Sequence, residues 1–162
     1  MCIPNKGDFA MDKTRELLLK QFTGLINGDD DLVSTLANTT AFLNEILSDI
    51  NWVGFYIFKN EQLYLGPFQG KVACTRIALG KGVCGTALAE SKTLRVDDVH
   101  QFPGHIVCDS ASNSEIVIPI IVSGKPFGVL DIDAPIFSRF SEDDQLFLEA
   151  LISLLETHLA TL

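Results

Sequence analysis

Cys84 and Cys108 have the most chemistry open to them. Cys108 lies in HIVCDSASNSEIV, residues 105–117, among small polar neighbours that leave a sulfur accessible, where a buried structural cysteine would want apolar ones. His105 is close enough in the chain to help ionise it, and the thiolate is the nucleophilic form. Cys84 stands just before TALAES, residues 86–91, which reads as a short helix. A helix N-terminus offers free N–H groups and partial positive charge, both favouring thiolate, so on local grounds Cys84 is the more acidic thiol. It reads equally well as a small core residue.

Carboxylates come next. In FGVLDID, residues 127–133, Asp131 and Asp133 alternate with Leu130 and Ile132. Strand geometry then puts both acids on the face of Val129. Like charges so close, if partly buried, raise at least one pKa, which suits proton donation or capture of an ammonium group. A solvated strand end before Pro135 is the plainer alternative. Glu115 opens the strand after Cys108 and precedes an apolar run, so it is expected in the same cavity, and three carboxylates beside a thiol suggest acid catalysis. Trp52, Gly54 and Tyr56 share one face of WVGFYIF, residues 52–58, opposite Val53, Phe55 and Ile57. Two aromatics flanking a glycine suit a pocket wall, although such rings usually supply buried area.

Two further patterns carry less. Gly80-Lys81-Gly82-Val83-Cys84-Gly85 matches G-x-G-x-x-G, but a dinucleotide site needs a parallel βαβ unit, and the strands here read as antiparallel. Cys74, Cys84, Cys108, His100 and His105 could supply zinc ligands, yet no C-x-x-C or H-x-x-H pair supports a metal site.

The elements that must position these residues follow from periodicity. Leu18, Phe22, Leu25 and Ile26 give a first helix from Leu17 to Ile26, closed by Gly28. Leu32, Leu36, Leu43, Ile46, Leu47 and Ile50 give a second, ending near Ser48, across the poorly helical Asn38-Thr39-Thr40. Residues 52–58 and 62–66 form a hairpin, and ACTRIAL, residues 73–79, a third strand. TLRV, residues 93–96, is a strand, and a long irregular run from Asp97 to Ser114 follows, of the kind that carries function. Residues 115–122 and 127–133 make a second hairpin, and Ser141 with Asp144 opens a closing helix carrying Phe147, Leu151, Leu154 and Leu155. Helices, antiparallel strands around a loop-rich insert, then a helix spell α+β.

The 162 residues, 47% of them hydrophobic, suit one domain. A formal charge of -9 without a basic run disfavours nucleic acid and anionic membranes. No apolar stretch is long enough to span a bilayer, and MCIPNKGDFAMDK lacks a signal-peptide core, so the cytoplasm is expected. Four cysteines are few for a disulfide scaffold and point to thiol chemistry instead.

From about residue 20 onward the chain resembles the free methionine-(R)-sulfoxide reductases, a GAF-domain family. The resemblance rests on NWVGFY at 51–56, LGPFQGKVAC at 65–74, GKGVCGTA at 80–87, DVHQFPGHIVCD at 98–109, SEIVIPI at 114–120 and GVLDIDAP at 128–135. It implies a GAF-like central antiparallel sheet of about six strands with helices packed against it, spanning residues 13–162 behind an extension at 1–12, and a homodimer. It makes Cys108 the nucleophile, Cys84 its principal resolving partner and Cys74 the third of the trio. Cys2 has no counterpart. Trp52 and Tyr56 become the pocket aromatics, and Glu115, Asp131 and Asp133 the substrate-binding acids. The implied reaction is reduction of free methionine (R)-sulfoxide with thioredoxin as reductant, needing no cofactor and no metal. A GAF module that senses a small molecule or redox state without chemistry is the alternative.

Overall fold

Helix starts in this chain are set by aspartate and serine caps. The computed structural model describes residues 11–162, so most of the expected extension, Cys2 included, lies outside the described residues. Asp12 accepts from the Arg15 amide at 2.8 Å and opens α1, Lys13–Ile26, a turn earlier than the apolar spacing alone indicates. Asp31 likewise caps α2, Leu32–Ile46, by accepting from the Ser34 amide at 2.8 Å. The unpromising threonines of α2 are buried, and the Thr39 and Thr40 hydroxyls donate back to the carbonyls of Thr35 and Ala37, 2.7 Å each. That back-bonding satisfies them inside the helix.

Among the described residues six strands follow in one sheet: β1 Trp52–Lys59, β2 Gln62–Gly70, β3 Arg76–Ala78, β4 Leu94–Val96, β5 Ser114–Val122 and β6 Lys125–Ala134. Their order is β3-β2-β1-β6-β5-β4, with every neighbouring pair antiparallel. This is the α+β, GAF-like sheet that the sequence led us to expect, and it leaves no parallel βαβ unit for a dinucleotide. Two boundaries differ from expectation. The third strand is three residues long, because residues 71–75 are drawn off as a loop. The third helix, α3 Gly82–Glu90, starts four residues before TALAES, inside the glycine-rich stretch. Gly80 and Gly82 have φ of +79° and +59°, and a Cβ on Gly85 would lie 2.4 Å from the Ala78 carbonyl oxygen. The three glycines thus turn the chain and seat α3 against β3, which accounts for the fingerprint spacing without a phosphate.

Helices α1, α2 and α4, Glu142–Leu159, contribute Phe22, Leu36, Leu43, Leu148, Leu151 and Leu155 to a core with Val53, Phe55, Ile116, Ile118, Leu130 and Ile132. Ser141 and Asp144 form the expected capping box at the start of α4. Asp144 also binds Arg15 at 2.8 Å and Arg139 at 3.0 Å, fastening α1 to α4. On the other face α3 covers a smaller cluster with Trp52, Tyr56, Leu63, Val83, Leu88 and Val129. Among the described residues no helix is long and apolar enough to cross a membrane.

Candidate active site

Strand register alone places the acids and aromatics together. Trp52 is paired with Asp133, Gly54 with Asp131 and Tyr56 with Val129 across β1 and β6. Glu115 faces Asp133 and Val117 faces Asp131 across β5 and β6. Since side chains alternate, Trp52, Tyr56, Glu115, Asp131 and Asp133 all project to the α3 side, where they line a cleft of about 520 Å³ including its mouth. Gly54 does not leave an open gap, however. A Cβ there would lie 2.5 Å from the Trp52 ring and 2.4 Å from the Phe68 Cβ, so the glycine lets the indole fold flat across the sheet. Trp52 stacks with Phe68 on one side and Tyr56 on the other, at centroid distances of 5.2 and 5.9 Å.

The polar tips of the two aromatics have a second task. Trp52 Nε1 donates to the Lys71 carbonyl at 3.1 Å, and the Tyr56 hydroxyl donates to the Cys74 carbonyl at 2.9 Å. These bonds hold the 71–75 loop, and with it Cys74, against the cleft. The partner loop is anchored by Asn51, whose side-chain amide donates to Asp109 at 3.0 Å and Ser112 at 3.1 Å. Cys108 sits between these tethers and the cleft, and its sulfur is bonded to that of Cys74, 34 residues away in sequence.

The disulfide corrects the expected pairing. Cys108 joins Cys74, and Cys84 remains a free, buried thiol. Cys84 lies in the first turn of α3, as helix-dipole reasoning requires, but its thiol is pushed well above its ordinary pKa by burial and then by the charges of Asp131, Glu115 and Asp133. Desolvation outweighs a dipole that contributes about 1 kcal/mol at most exposed sites. Cys84 is therefore a neutral thiol, 3.9 Å from Glu115 Oε1. The zinc ligand set weighed from sequence does not assemble either. Two of its cysteines are spent in the disulfide, and the Cys, His, Asp and Glu grouping that gathers among the described residues is Cys84 with Glu115 and Asp131.

The three acids differ. Burial, then Asp131 and Asp133, raises Glu115 well above the usual carboxylate range. Burial, then the charges of Asp131 and Asp109, does the same to Asp133. Asp131 is pushed up by burial only to about 6, because Glu115 and Cys84 favour its ionised form. Burial thus biases Glu115 and Asp133 toward their protonated forms, beside an Asp131 that titrates near 6. Asp131 Oδ1 is buried with no hydrogen-bond partner in the protein, an anionic oxygen left for a cation to meet. His105 Nε2 lies 3.8 Å from Glu115 Oε2. Burial, then His100, lowers its pKa, so near neutrality the imidazole is uncharged and the contact is no ion pair.

All seven expected cleft residues other than Cys74 line the cavity: Trp52, Tyr56, Cys84, Cys108, Glu115, Asp131 and Asp133. Cys74 is joined to it through Cys108. The sequence reading passed over Asn51, Asp109, Ser112 and the side chains of Val72 and Ile106, which also shape the loops or the cleft. The polar pair Asp109 and Ser112 flanking Cys108 was the available signal.

The GAF domain family matches residues 31–159 of the chain. Free methionine-R-sulfoxide reductase of Escherichia coli is 51% identical over 157 residues, 97% of this chain and 92% of that protein. The structure of fRMsr of Staphylococcus aureus in complex with substrate superposes with a TM-score of 0.87 at 49% identity, covering 93% of this chain and 99% of that one. Free methionine-R-sulfoxide reductase from Neisseria meningitidis, also in complex with its substrate, gives 0.85 at 42% identity, with 93% and 92% covered. Sequence, fold and cleft thus agree that this chain belongs to the GAF-domain family, in its free methionine-R-sulfoxide reductase branch.

Proposed function

We propose that the chain reduces free methionine (R)-sulfoxide to methionine by thiol chemistry. The observation that carries this is the cleft itself: Cys108 at its edge, an unpartnered Asp131 oxygen inside, and Glu115 and Asp133 beside it, both biased toward their protonated forms by burial. An amino acid's ammonium group supplies the cation that Asp131 lacks, with Asp133 beside it. The same contact gives a peptide-bound residue, whose nitrogen is an amide, nothing to hold. Trp52 and Tyr56 supply an apolar wall for the thioether end.

The Cys108 thiolate attacks the sulfoxide sulfur while Glu115 donates a proton to the oxygen. Methionine leaves and Cys108 keeps the oxygen as sulfenic acid. A second thiol then displaces water to form a disulfide. Cys74 takes that resolving role in place of Cys84, because Cys74 is the residue bonded to Cys108 and Cys84 is held neutral and buried among acids. Thioredoxin restores the dithiol in the cytoplasm, and two copies of the chain associate as a homodimer. A non-catalytic sensor would bind the same ligand and release it unchanged.

The test is methionine release from racemic free methionine sulfoxide under dithiothreitol, with the unreacted diastereomer identified. Consumption of the R form alone is expected. A folded, reduced protein that releases no methionine would leave the sensor reading.

A further inference from the structure

The proposed reaction leaves one nucleophilic group without a task. Cys84 is a free thiol, 4% exposed, in the first turn of α3. Two acids from neighbouring strands converge on it, Glu115 of β5 at 5% exposure and Asp131 of β6 at 6%. The Cys84 sulfur and one carboxylate oxygen from each acid lie within 4.8 Å of one another. Cys84 Sγ is 3.9 Å from Glu115 Oε1, and His105 Nε2 is 3.8 Å from Glu115 Oε2. Asp131 Oδ1 has no partner in the protein. In a tetrahedral zinc site a sulfur and an oxygen ligand stand about 3.5 Å apart, so small side-chain shifts bring these donors onto one ion. All four residues line the cleft, as do Asp109 and Asp133, and the lysine among the lining residues, Lys81, is exposed.

We infer that Cys84, Glu115 and Asp131, with His105 as a fourth donor, form a binding site for a thiophilic divalent cation of the zinc type, which closes the cleft to its amino-acid substrate. One sulfur, one imidazole and two carboxylates suit zinc and disfavour Mg²⁺ and Ca²⁺, which take oxygen ligands. On binding, the Cys84 S–H bond gives its proton to solvent and its electron pair to the metal, any proton on either carboxyl group is released likewise, and no atom changes oxidation state. The ion's charge supplies what burial denies a bare thiolate. Closure of the cleft rests on the proposed function. The ion takes the Asp131 oxygen that a substrate ammonium group would meet, and it occupies the Glu115 carboxyl that would donate the proton. Zinc and free methionine sulfoxide therefore compete.

The experiment titrates Co²⁺, a spectroscopic stand-in for zinc, into the full-length Cys2→Ser protein with the Cys74–Cys108 disulfide intact, so that Cys84 is the remaining thiol. One cobalt per chain should bind with sulfur-to-metal charge-transfer absorption, and Zn²⁺ should displace it where a large excess of Mg²⁺ does not. Cys84→Ser should abolish the absorption. Asp131→Asn should lower zinc affinity about a hundredfold, since a direct ligand costs at least what an outer-shell partner does. Thermal melts check that each variant folds. No absorption in the parent, absorption that survives Cys84→Ser, or full zinc affinity in Asp131→Asn would overturn the site. In calorimetry on the same oxidised protein, zinc should weaken the binding of free methionine sulfoxide, and measurable binding that zinc leaves unchanged would overturn the inference as well. The cobalt readout uses neither sulfoxide nor reductant, so the metal site and the proposed reaction fail separately.

Discussion

The two faces of the sheet are written by the same strands in alternate residues, yet they are built to opposite rules. On the face toward α1, α2 and α4, β1, β5 and β6 present Val53, Phe55, Ile116, Ile118, Leu130 and Ile132, all at most 3% exposed. On the face toward α3 the intervening positions are Trp52, Tyr56, Glu115, Asp131 and Asp133. The apolar face gains stability from every side chain it buries. The α3 face buries acids whose charged forms are opposed by desolvation, and it keeps an anionic oxygen without a partner. One face supplies the rigidity that lets the other hold groups in costly states.

Substitutions on the two faces should therefore separate turnover from stability. Cys108→Ser should lower methionine release by about 10³-fold or more with dithiothreitol as well as thioredoxin, as loss of a nucleophile does. Full activity would remove Cys108 from the chemistry.

Glu115→Gln should lower turnover by about 10²-fold or more, since the proton donor is lost. It should also flatten the pH dependence of stability. The folded pKa of Glu115 lies above its unfolded value, so its contribution is fully present below the ordinary carboxylate range and is lost as pH rises through the raised value. Thermal melts from pH 5 to 9 should then slope downward less steeply in the variant. An unchanged slope would mean that the carboxyl does not titrate above its ordinary range.

Cys74→Ser should abolish thioredoxin-driven turnover and spare part of the dithiothreitol-driven rate, whereas Cys84→Ser should keep the thioredoxin-driven rate within about an order of magnitude. The reverse pattern would restore Cys84 as the resolving residue.

Ile132→Ala should cost about 2–5 kcal/mol in denaturant melts while leaving the turnover of folded molecules near the parent value. Tyr56→Phe is the mildest change. It removes the bond to the Cys74 carbonyl and should cost about 1 kcal/mol, with slower disulfide formation read by thiol counting.

Period-two alternation in 52–58 and 127–133 was enough to divide core from site, because a paired strand allows its side chains no third direction. The capping box at Ser141 and the second hairpin were legible for the same local reason. The start of α3 was not, since Gly82-Val83 reads as a turn until the helix packs on β3. The third strand was overcalled because Thr75 and Ile77 favour a strand and the apolar run reaches back to Ala73, but the tips of Trp52 and Tyr56 hold residues 71–75 as a loop.

What the sequence determined by itself is local: where the long helices lie, which strand residues share a face, and hence that Trp52, Tyr56, Glu115, Asp131 and Asp133 look the same way. Tertiary structure alone decided which cysteine meets Cys108 and that Cys84 is not an acidic thiol. A partner 34 residues away is chosen by how two loops are tethered, and a pKa is set by how much water the fold leaves around the sulfur. Neither quantity has a local signature in the chain.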